Sequence, residues 1–201
     1  MTVVDSSGVI ACVGEPLVCF ASPPGESLLD SGSALVSEGG AELNVAVHLA
    51  RLGVAVRFVG AVGDDVLGRR LMRRLRRENV DVSGLQVEAG QRTGAYVKEW
   101  SLSRDVVYLR AGTAASRLSE VSPAALRGVS HVHVTGITAS LSAACGRLLD
   151  ALLAPSRGYT VSFDVNFRDR LWPPEEAGPR LRELARRSDL VLVGRDEADR
   201  L

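Results

Sequence analysis

The chain has 201 residues, 46% of them apolar and 24% charged, which is the composition of a globular protein with material for a sizeable core. Lysine and arginine together number 24, as do aspartate and glutamate, so no net charge favours nucleic acid or an anionic membrane as a partner. The start of the chain lacks the basic region of a signal peptide, and no apolar stretch is long enough to span a bilayer. Three cysteines without paired spacing indicate reduced thiols, so we expect a cytoplasmic protein.

The elements predicted along the chain alternate between strand and helix. Residues 9–13 form a short apolar run typical of a buried strand. After Gly39-Gly40, apolar residues recur at helical spacing until Gly53, which is placed to end a helix. Further strands are predicted at 54–62, 131–134, 159–164 and 190–193, with helices after 65, around 141–152 and at 175–187. This alternation predicts an α/β fold with a mostly parallel sheet covered by helices on both faces.

Two segments interrupt the alternation. Residues 15–37 are polar and rich in proline and glycine, and residues 85–112 are β-rich with little helical periodicity. We interpret both as excursions outside the main sheet. Together they predict one small β lid, assembled from two separated segments and inserted into a single α/β domain that covers residues 1–201.

The string Gly39-Gly40-Ala41-Glu42-Leu43-Asn44 is the first candidate for ligand binding. Two glycines before a helix let a ligand approach backbone N–H groups at the positive end of the helix dipole. Asn44, one turn further, can donate and accept hydrogen bonds toward the same place. A tight loop that merely leads into a helix is the alternative. The string matches neither a dinucleotide-binding fingerprint nor a P-loop.

Gly39, Gly40, Asn44, Gly53 and Gly63 stand at the spacing of the N-terminal signature of the ribokinase, or phosphofructokinase-B, sugar kinase family. The chain resembles this family from Val9 to its last residue. The resemblance implies a ribokinase-like, Rossmann-like fold and the cofactors ATP and Mg²⁺. Many members carry a proline or another small residue where this chain has Glu42. Gly-Ala-Glu-x-Asn is instead similar to the 2-keto-3-deoxygluconate kinase subgroup.

Tyr96, Tyr108 and Arg110 form the second candidate, in the β-rich excursion. Tyr108 and Arg110 are two residues apart, so on a strand they project from one face, and an arginine fork matches a carboxylate. An ordinary exposed strand would show the same pattern. The resemblance to ketodeoxygluconate kinases implies that these three side chains contact the sugar acid. It also implies that Glu15, just after the first strand, contributes a polar contact to the sugar pocket.

The third and fourth candidates follow the last two predicted strands. If the backbone stays extended after Asp164, then Asp164, Asn166 and Arg168 share one side, at the edge where open parallel sheets bind ligands. A buried acidic cap for the next helix is the alternative. The resemblance implies that Asn166 and Arg168 lie between sugar and nucleotide, with Arg168 contacting both. The resemblance also implies that Glu197 lies on the side of the site where the nucleotide binds, although Gly194 stands where the family has a polar residue.

Two arginines directed at one ligand suit a substrate with a carboxylate better than a neutral sugar. We therefore expect a parent protein that transfers phosphate from ATP to a sugar acid, 2-keto-3-deoxygluconate, with this chain as the sugar-binding part. Fructose or another ketose is the alternative substrate. A truncated, non-catalytic module that binds a sugar acid or a partner protein is the alternative function.

The family's catalytic base belongs to a late Gly-Ala-Gly-Asp motif, and this string does not occur in the 201 residues. We therefore assign no catalytic residue, and we expect the base and the C-terminal part of the fold beyond Leu201. No Cys/His cluster has metal-ligand spacing, so we assign no metal ligands. The family resemblance also implies a homodimer that pairs through the lid strands.

Overall fold

Strands and helices alternate through the residues that the computed structural model describes, 8–100 and 106–200. The strands are β1 (Val9–Val13), β2 (Leu17–Ala21), β3 (Leu35–Gly39), β4 (Val56–Gly63), β5 (Asp81–Glu88), β6 (Ala95–Lys98), β7 (Val106–Leu109), β8 (Val129–Thr135), β9 (Thr160–Asp164) and β10 (Leu190–Leu192). The helices are α1 (Ala41–Arg51), α2 (Val66–Arg77), α3 (Gly136–Leu141), α4 (Ala143–Leu152), α5 (Pro174–Arg186) and α6 (Arg195–Ala198). Two short 3₁₀ turns lie at Ala115–Arg117 and Pro123–Leu126.

Six strands form the main sheet, in the order β10-β9-β8-β1-β4-β5, and every neighbouring pair is parallel. One face packs against α4 and α5 through a cluster that includes Val132, Leu148 and Phe163. The opposite face carries a second cluster with α1 and α2, which includes Phe58 and Leu71. Parallel strands connected by helices bury both faces of a sheet in this way. The predicted α/β fold with a mostly parallel sheet is confirmed.

Helix α2 begins at a side-chain cap that also reaches a distant segment. Asp65 accepts a hydrogen bond from the backbone N–H of Gly68 at 2.7 Å, as an N-cap aspartate does. Its carboxylate also accepts from the backbone N–H and the hydroxyl of Thr93, both at 2.8 Å. One side chain therefore starts the helix and holds the chain segment that enters β6.

A second, smaller sheet has the order β3-β2-β6-β7. Strands β2 and β3 are antiparallel, as are β6 and β7, while β2 and β6 are parallel. This sheet draws its strands from two separated parts of the chain, and we refer to it as the lid sheet. The sequence predicted that the second lid segment begins at about residue 85. Residues 85–88 instead lie in β5 and pair with β4 in the main sheet. Helix α2 returns the chain beside β4, so β5 completes a parallel β-α-β unit before the lid begins.

The register of the lid sheet decides which side chains share a face. Tyr96 lies opposite Tyr108, and Lys98 lies opposite Val106. Paired residues project to the same side of a sheet, and residues two apart on a strand do so as well. These four side chains therefore share one face of the lid sheet.

The cysteines Cys12, Cys19 and Cys145 are free and buried, in agreement with the reduced thiols expected from their spacing. Among the helices within residues 8–100 and 106–200, none has the length and apolarity needed to cross a membrane. The same residues hold no group of three or more His, Cys, Asp or Glu side chains that could bind a metal ion.

Candidate functional site

A cavity of about 280 Å³ lies between the lid sheet and the carboxyl edge of the main sheet. Its walls come from the β1–β2 turn, the first turn of α1, strands β6 and β7, and the segments after β8 and β9. Open parallel sheets bind ligands at this edge. The residues that line the cavity are Glu15, Leu17, Gly40, Ala41, Glu42, Asn44, Tyr96, Lys98, Val106, Tyr108, Arg110, Ile137, Asn166 and Arg168. We refer to it as the lid cavity.

Seven of the eight residues predicted to bind the substrate line the lid cavity: Glu15, Gly40, Asn44, Tyr96, Tyr108, Arg110 and Arg168. The eighth, Gly39, lies behind Tyr96. A Cβ atom at position 39 would come within 2.5 Å of the Tyr96 hydroxyl. Glycine at this position therefore makes room for the tyrosine, while the cavity wall is formed by the tyrosine itself.

Gly40 forms the turn that leads into α1, and only glycine suits its backbone. Its φ of 127° lies in a region that side chains with a Cβ rarely adopt. A Cβ atom here would also lie 2.5 Å from the carbonyl oxygen of Glu15. The first turn of α1 is thus held directly against the β1–β2 turn, and both segments line the cavity.

A buried ion pair connects the lid to the main sheet. The Arg110 Nε atom donates to Glu15 Oε2 at 2.7 Å, and the Thr113 hydroxyl donates to Glu15 Oε1 at 3.0 Å. The Glu15 residue is 2% exposed and the Arg110 residue 8%. Burial raises the pKa of the Glu15 carboxyl, and the Arg110 guanidinium opposes this most strongly. Because Glu15 already neutralises Arg110, this arginine is less available to a ligand than its sequence position suggested.

Glu42 is a second buried carboxyl group, and it forms no ion pair with any cation in the part of the chain that the structure describes. Its Oε1 atom accepts hydrogen bonds from the hydroxyls of Thr135 and Thr138, both at 2.7 Å. The residue is 1% exposed, and burial raises the pKa of its carboxyl group, with the two threonine hydroxyls opposing. The carboxyl group occupies the space that a Cβ of Gly14 would need. Glu42 therefore fixes the first turn of α1 against the start of α3.

Aromatic rings of the lid face the cavity. The ring centroids of Tyr96 and Tyr108 are 5.9 Å apart with a 40° angle between the planes. The guanidinium carbon of Arg110 lies 5.3 Å from the centroid of the Tyr108 ring. Tyrosine combines an apolar ring with a hydroxyl group, a combination that suits the apolar faces and the hydroxyl groups of a sugar.

Several side chains at this site were not predicted from the sequence: Lys98 on the lid face, Thr113 beside Glu15, and Thr135 and Thr138 beside Glu42. The threonines carried no local signal, because their partners are more than 90 residues away in the sequence. Lys98 did carry a signal in the sequence, because it is the only lysine in the chain.

The segment after β9 differs from its prediction. Strand β9 ends at Asp164, and Asn166 has a φ of 40°, in the left-handed region. The extended conformation therefore does not persist, and Asp164 does not line the cavity although Asn166 and Arg168 do. Burial and the nearby Glu197 raise the pKa of the Asp164 carboxyl group. Asparagine is one of the few residue types that tolerate this backbone conformation.

Arg168 extends from the lid cavity toward Glu197. Its Nη1 atom lies 3.5 Å from Glu197 Oε1, and half of its side chain is exposed. The other oxygen of Glu197 accepts from the backbone N–H of Gly194 at 3.0 Å, which closes the start of α6. Glu197 thus closes a helix turn and faces Arg168 as well.

A larger groove, of about 550 Å³, lies along α2 on the other side of the lid sheet. Arginines dominate its walls, and two of them, Arg70 and Arg74, pair with Glu38 or Glu78. Most of its lining is the arginine-rich face of α2, together with Val36 and Glu38 of β3. The residues predicted for sugar binding lie at the lid cavity, so we take that cavity as the candidate site.

The two-segment lid over the carboxyl edge of a parallel sheet defines a ribokinase-like α/β protein. Residues 9–201 match the model of the pfkB family of carbohydrate kinases. The chain belongs to this family.

Relatives with two kinds of substrate in their names are similar to this chain. A probable fructokinase-2 of Arabidopsis thaliana is 32% identical over 196 residues, which cover 94% of this chain and 60% of that protein. A 2-dehydro-3-deoxygluconokinase of Bacillus subtilis is 38% identical over 143 residues, which cover 68% of this chain and 44% of that protein. The chain thus spans about 60% of the first of these relatives and less of the second.

Solved structures share the fold over nearly the whole chain. A PfkB protein from a Polaromonas species has a TM-score of 0.89 at 32% identity, with 96% of this chain and 68% of that chain covered. The 2-dehydro-3-deoxygluconokinase of Thermotoga maritima has a TM-score of 0.87 at 29% identity, covering 96% and 62%. A fructokinase with bound ATP from Xylella fastidiosa has a TM-score of 0.83 at 29% identity, covering 96% and 60%.

Proposed function

We propose that this chain is the sugar-binding part of a kinase that transfers phosphate from ATP to a sugar acid, with 2-keto-3-deoxygluconate (2-dehydro-3-deoxygluconate) as the substrate. The observation that carries the proposal is the lid cavity. Two tyrosines and three cationic side chains there surround the N-terminal turn of α1. Tyrosines suit the sugar body, and the cations suit a carboxylate.

A ketose such as fructose is the second candidate, and the similarity to fructokinases supports it. The charge of the cavity favours the acid. Lys98 and Arg168 are not neutralised by close ion pairs, since Arg168 lies 3.5 Å from Glu197 and Lys98 has no ion pair with any residue in 8–100 or 106–200. A neutral sugar can accept hydrogen bonds from these two cations, whereas an anionic one also gains the attraction between opposite charges.

Few of the described residues lie on the side of the site where ATP would bind. Arg168 has a half-exposed guanidinium group that fits a phosphate, and Asn166 and Glu197 lie beside it. Bound ATP would supply the transferred phosphoryl group, and Arg168 would hold and orient its charge. No acidic cluster suited to Mg²⁺ occurs in the described ranges, so we assign no ligand for that ion.

We also propose that two copies pair through their lid sheets. Val107 and Leu109 are two residues apart on β7, on one face of the lid sheet, and each is more than half exposed. Exposed apolar side chains on a sheet are typical of an interface.

Calorimetric titration of the chain tests the substrate proposal. We expect 2-keto-3-deoxygluconate to bind more tightly than fructose, and Arg168→Ala to weaken acid binding more than fructose binding. Arg168 suits this test because it has no buried partner. Arg110→Ala does not, because it would leave Glu15 buried without its cation, which destabilises a protein by about 3–5 kcal/mol. Tighter binding of fructose than of the acid would contradict the proposal and favour the ketose.

The chain contains no Gly-Ala-Gly-Asp string, so we expect no phosphoryl transfer from it alone. The measurement is turnover of 2-keto-3-deoxygluconate with ATP and Mg²⁺. Turnover that stops when Mg²⁺ is removed would show that the chain is itself an active kinase. Sugar-acid binding without turnover is equally expected of a non-catalytic module, and sequence beyond Leu201 separates the two.

A further inference from the structure

We propose that Lys98 recognises the acidic group of the ligand and that, together with Arg168, it sets the choice between a sugar acid and a neutral sugar. The inference rests on the proposed function, because it assigns a selectivity residue within the same cavity. It also replaces Arg110, which the sequence had indicated for this role.

The position of Lys98 on the lid directs its side chain to the cavity. It is two residues after Tyr96 on β6 and lies opposite Val106 on β7. All three of these side chains line the lid cavity, together with Tyr108. A ligand whose sugar body contacts the two tyrosines would therefore have the lysine at the next position along the same strand.

The three cations of the cavity differ in their partners. Arg110 is buried and donates from Nε to Glu15 at 2.7 Å, so its charge is compensated inside the protein. Arg168 donates to the Phe167 carbonyl oxygen at 2.8 Å and lies 3.5 Å from Glu197. The Lys98 ammonium makes no hydrogen bond or ion pair with residues that the structure describes. Its Nζ atom lies 3.5 Å from the centroid of the Trp100 ring.

The contact with Trp100 holds the ammonium group without neutralising it. A cation over an aromatic face is attracted by the ring quadrupole, which carries no net charge. More than half of the Trp100 residue is exposed, so the lysine remains close to solvent and to an entering ligand. The ligand carboxylate can therefore gain a charge-assisted hydrogen bond without breaking an existing ion pair.

The choice of residue type supports the same role. Lys98 is the only lysine among the 24 Lys and Arg residues of the chain. An arginine presents a rigid planar fork, which Arg110 uses to bind Glu15, whereas a lysine offers a compact charge on a flexible stem. A mobile point charge can follow a carboxylate that enters and leaves the cavity, and this is the one position where the chain has such a group.

Titration calorimetry with two ligands tests the proposal: 2-keto-3-deoxygluconate, and 3-deoxyfructose, in which a hydroxymethyl group replaces the carboxylate. The proteins are the wild type, Lys98→Met and Lys98→Arg. We expect Lys98→Met to weaken acid binding about tenfold or more, the effect of one lost charged hydrogen bond. We expect its affinity for 3-deoxyfructose to change less than about twofold, and Lys98→Arg to retain most of the acid preference.

The ratio of the two affinities, measured on each protein, distinguishes a loss of selectivity from misfolding. A misfolded variant would lose affinity for both ligands. A Lys98→Met variant with the wild-type ratio overturns the role of the lysine and leaves the proposed function standing. A wild type that binds neither ligand overturns the proposed function and this inference with it.

A second measurement uses the fact that the chain has one lysine. Reductive methylation with ¹³C-formaldehyde labels the lysine and the N-terminal amine and retains both charges, and the Lys98→Met protein identifies the lysine signal. We expect saturating 2-keto-3-deoxygluconate to shift the lysine resonance and 3-deoxyfructose to shift it much less. A lysine resonance that the bound acid leaves unmoved contradicts the proposal.

Discussion

Two buried carboxyl groups line the candidate site, and their surroundings differ at the level of single residues. Glu15 forms a direct ion pair with Arg110, whereas Glu42 accepts from the hydroxyls of Thr135 and Thr138 and has no ion pair with a residue in 8–100 or 106–200. A buried charge without a counter-charge destabilises the folded state, whereas a buried amide with the same hydrogen bonds does not. Glu42 is therefore the residue at which removing a charge should improve stability.

We expect Glu42→Gln to be more stable than the wild type at pH 8, by about 1 kcal/mol. The folded state raises the pKa of the Glu42 carboxyl group, so the protonated form stabilises the fold at low pH and this contribution is lost as the pH rises through the folded pKa. The advantage of glutamine should consequently grow between pH 5 and pH 8. Urea unfolding at both pH values measures it.

Glu42→Ala provides the matched control, because it removes the charge and the hydrogen-bond acceptor together. Two buried threonine hydroxyls then lose their partner, so we expect a loss of about 2 kcal/mol at pH 5. At pH 8 this loss should shrink by as much as the glutamine advantage grows, because only the wild type titrates at position 42. If Glu42→Gln destabilises the protein as much as Glu42→Ala does, the two threonine hydroxyls require the carboxylate itself.

At the scale of elements, the cap of α2 connects the main sheet to the lid. Asp65 binds Gly68 within the helix and Thr93 just before β6. The sequence predicted where this helix begins, because Gly63-Asp64-Asp65 precedes its first apolar residue. It did not indicate which of the two aspartates would cap the helix, or that the same carboxylate would reach Thr93.

We expect Asp65→Ala to lower the free energy of unfolding by about 1–2 kcal/mol at pH 7. Burial alone would raise the pKa of the Asp65 carboxyl group, but the hydrogen bonds from Gly68 and Thr93 together lower it. Its contribution is therefore present above the unfolded pKa, about 3.9, and is lost as the pH falls through the folded pKa. The difference between variant and wild type should shrink when unfolding is measured below about pH 4.

The neighbouring Asp64→Ala serves as the control. Asp64 pairs with Arg69 at the surface, with both side chains more than 60% exposed, and such pairs contribute little. Equal losses in the two variants would mean that the cap and the Thr93 contact stabilise the protein no more than a surface ion pair does.

At the scale of the whole molecule, the main sheet has an apolar edge at β10. This strand pairs only with β9 within the described ranges, and residues 190–193 are four consecutive apolar residues, each 39–55% exposed. An exposed apolar edge strand pairs readily with another chain.

We expect the 201-residue chain to associate with increasing concentration, and the double substitution Leu190→Lys with Leu192→Lys to reduce that association. Sedimentation velocity over a range of concentrations measures both. Leu52→Lys is the control, because Leu52 is 80% exposed but isolated at the end of α1. A lid-mediated dimer would persist in the double variant, which distinguishes it from association through β10. A monomeric wild type at all concentrations would contradict the prediction.

The class of fold and most residues of the candidate site could be predicted from local sequence patterns. Helical and strand periodicities are local properties, and they predicted the alternation that forms the parallel sheet. The spacing of Gly40 and Asn44 and the strings around Tyr96, Tyr108 and Arg168 led to seven of the residues that line the lid cavity. Family resemblance was effective here because the residues belong to short contiguous motifs.

The distribution of charges in the site could not be predicted in the same way, because it depends on contacts between distant parts of the chain. Arg110 is compensated by Glu15, which is 95 residues away, and Glu42 is held by threonines 93 and 96 residues away. Such pairs depend on strand order and on the register of the lid sheet, and neither can be read from local periodicity. For the same reason, β5 could not be separated from the lid until its pairing with β4 was known, and Lys98 was not recognised until the sheet register directed it toward the cavity.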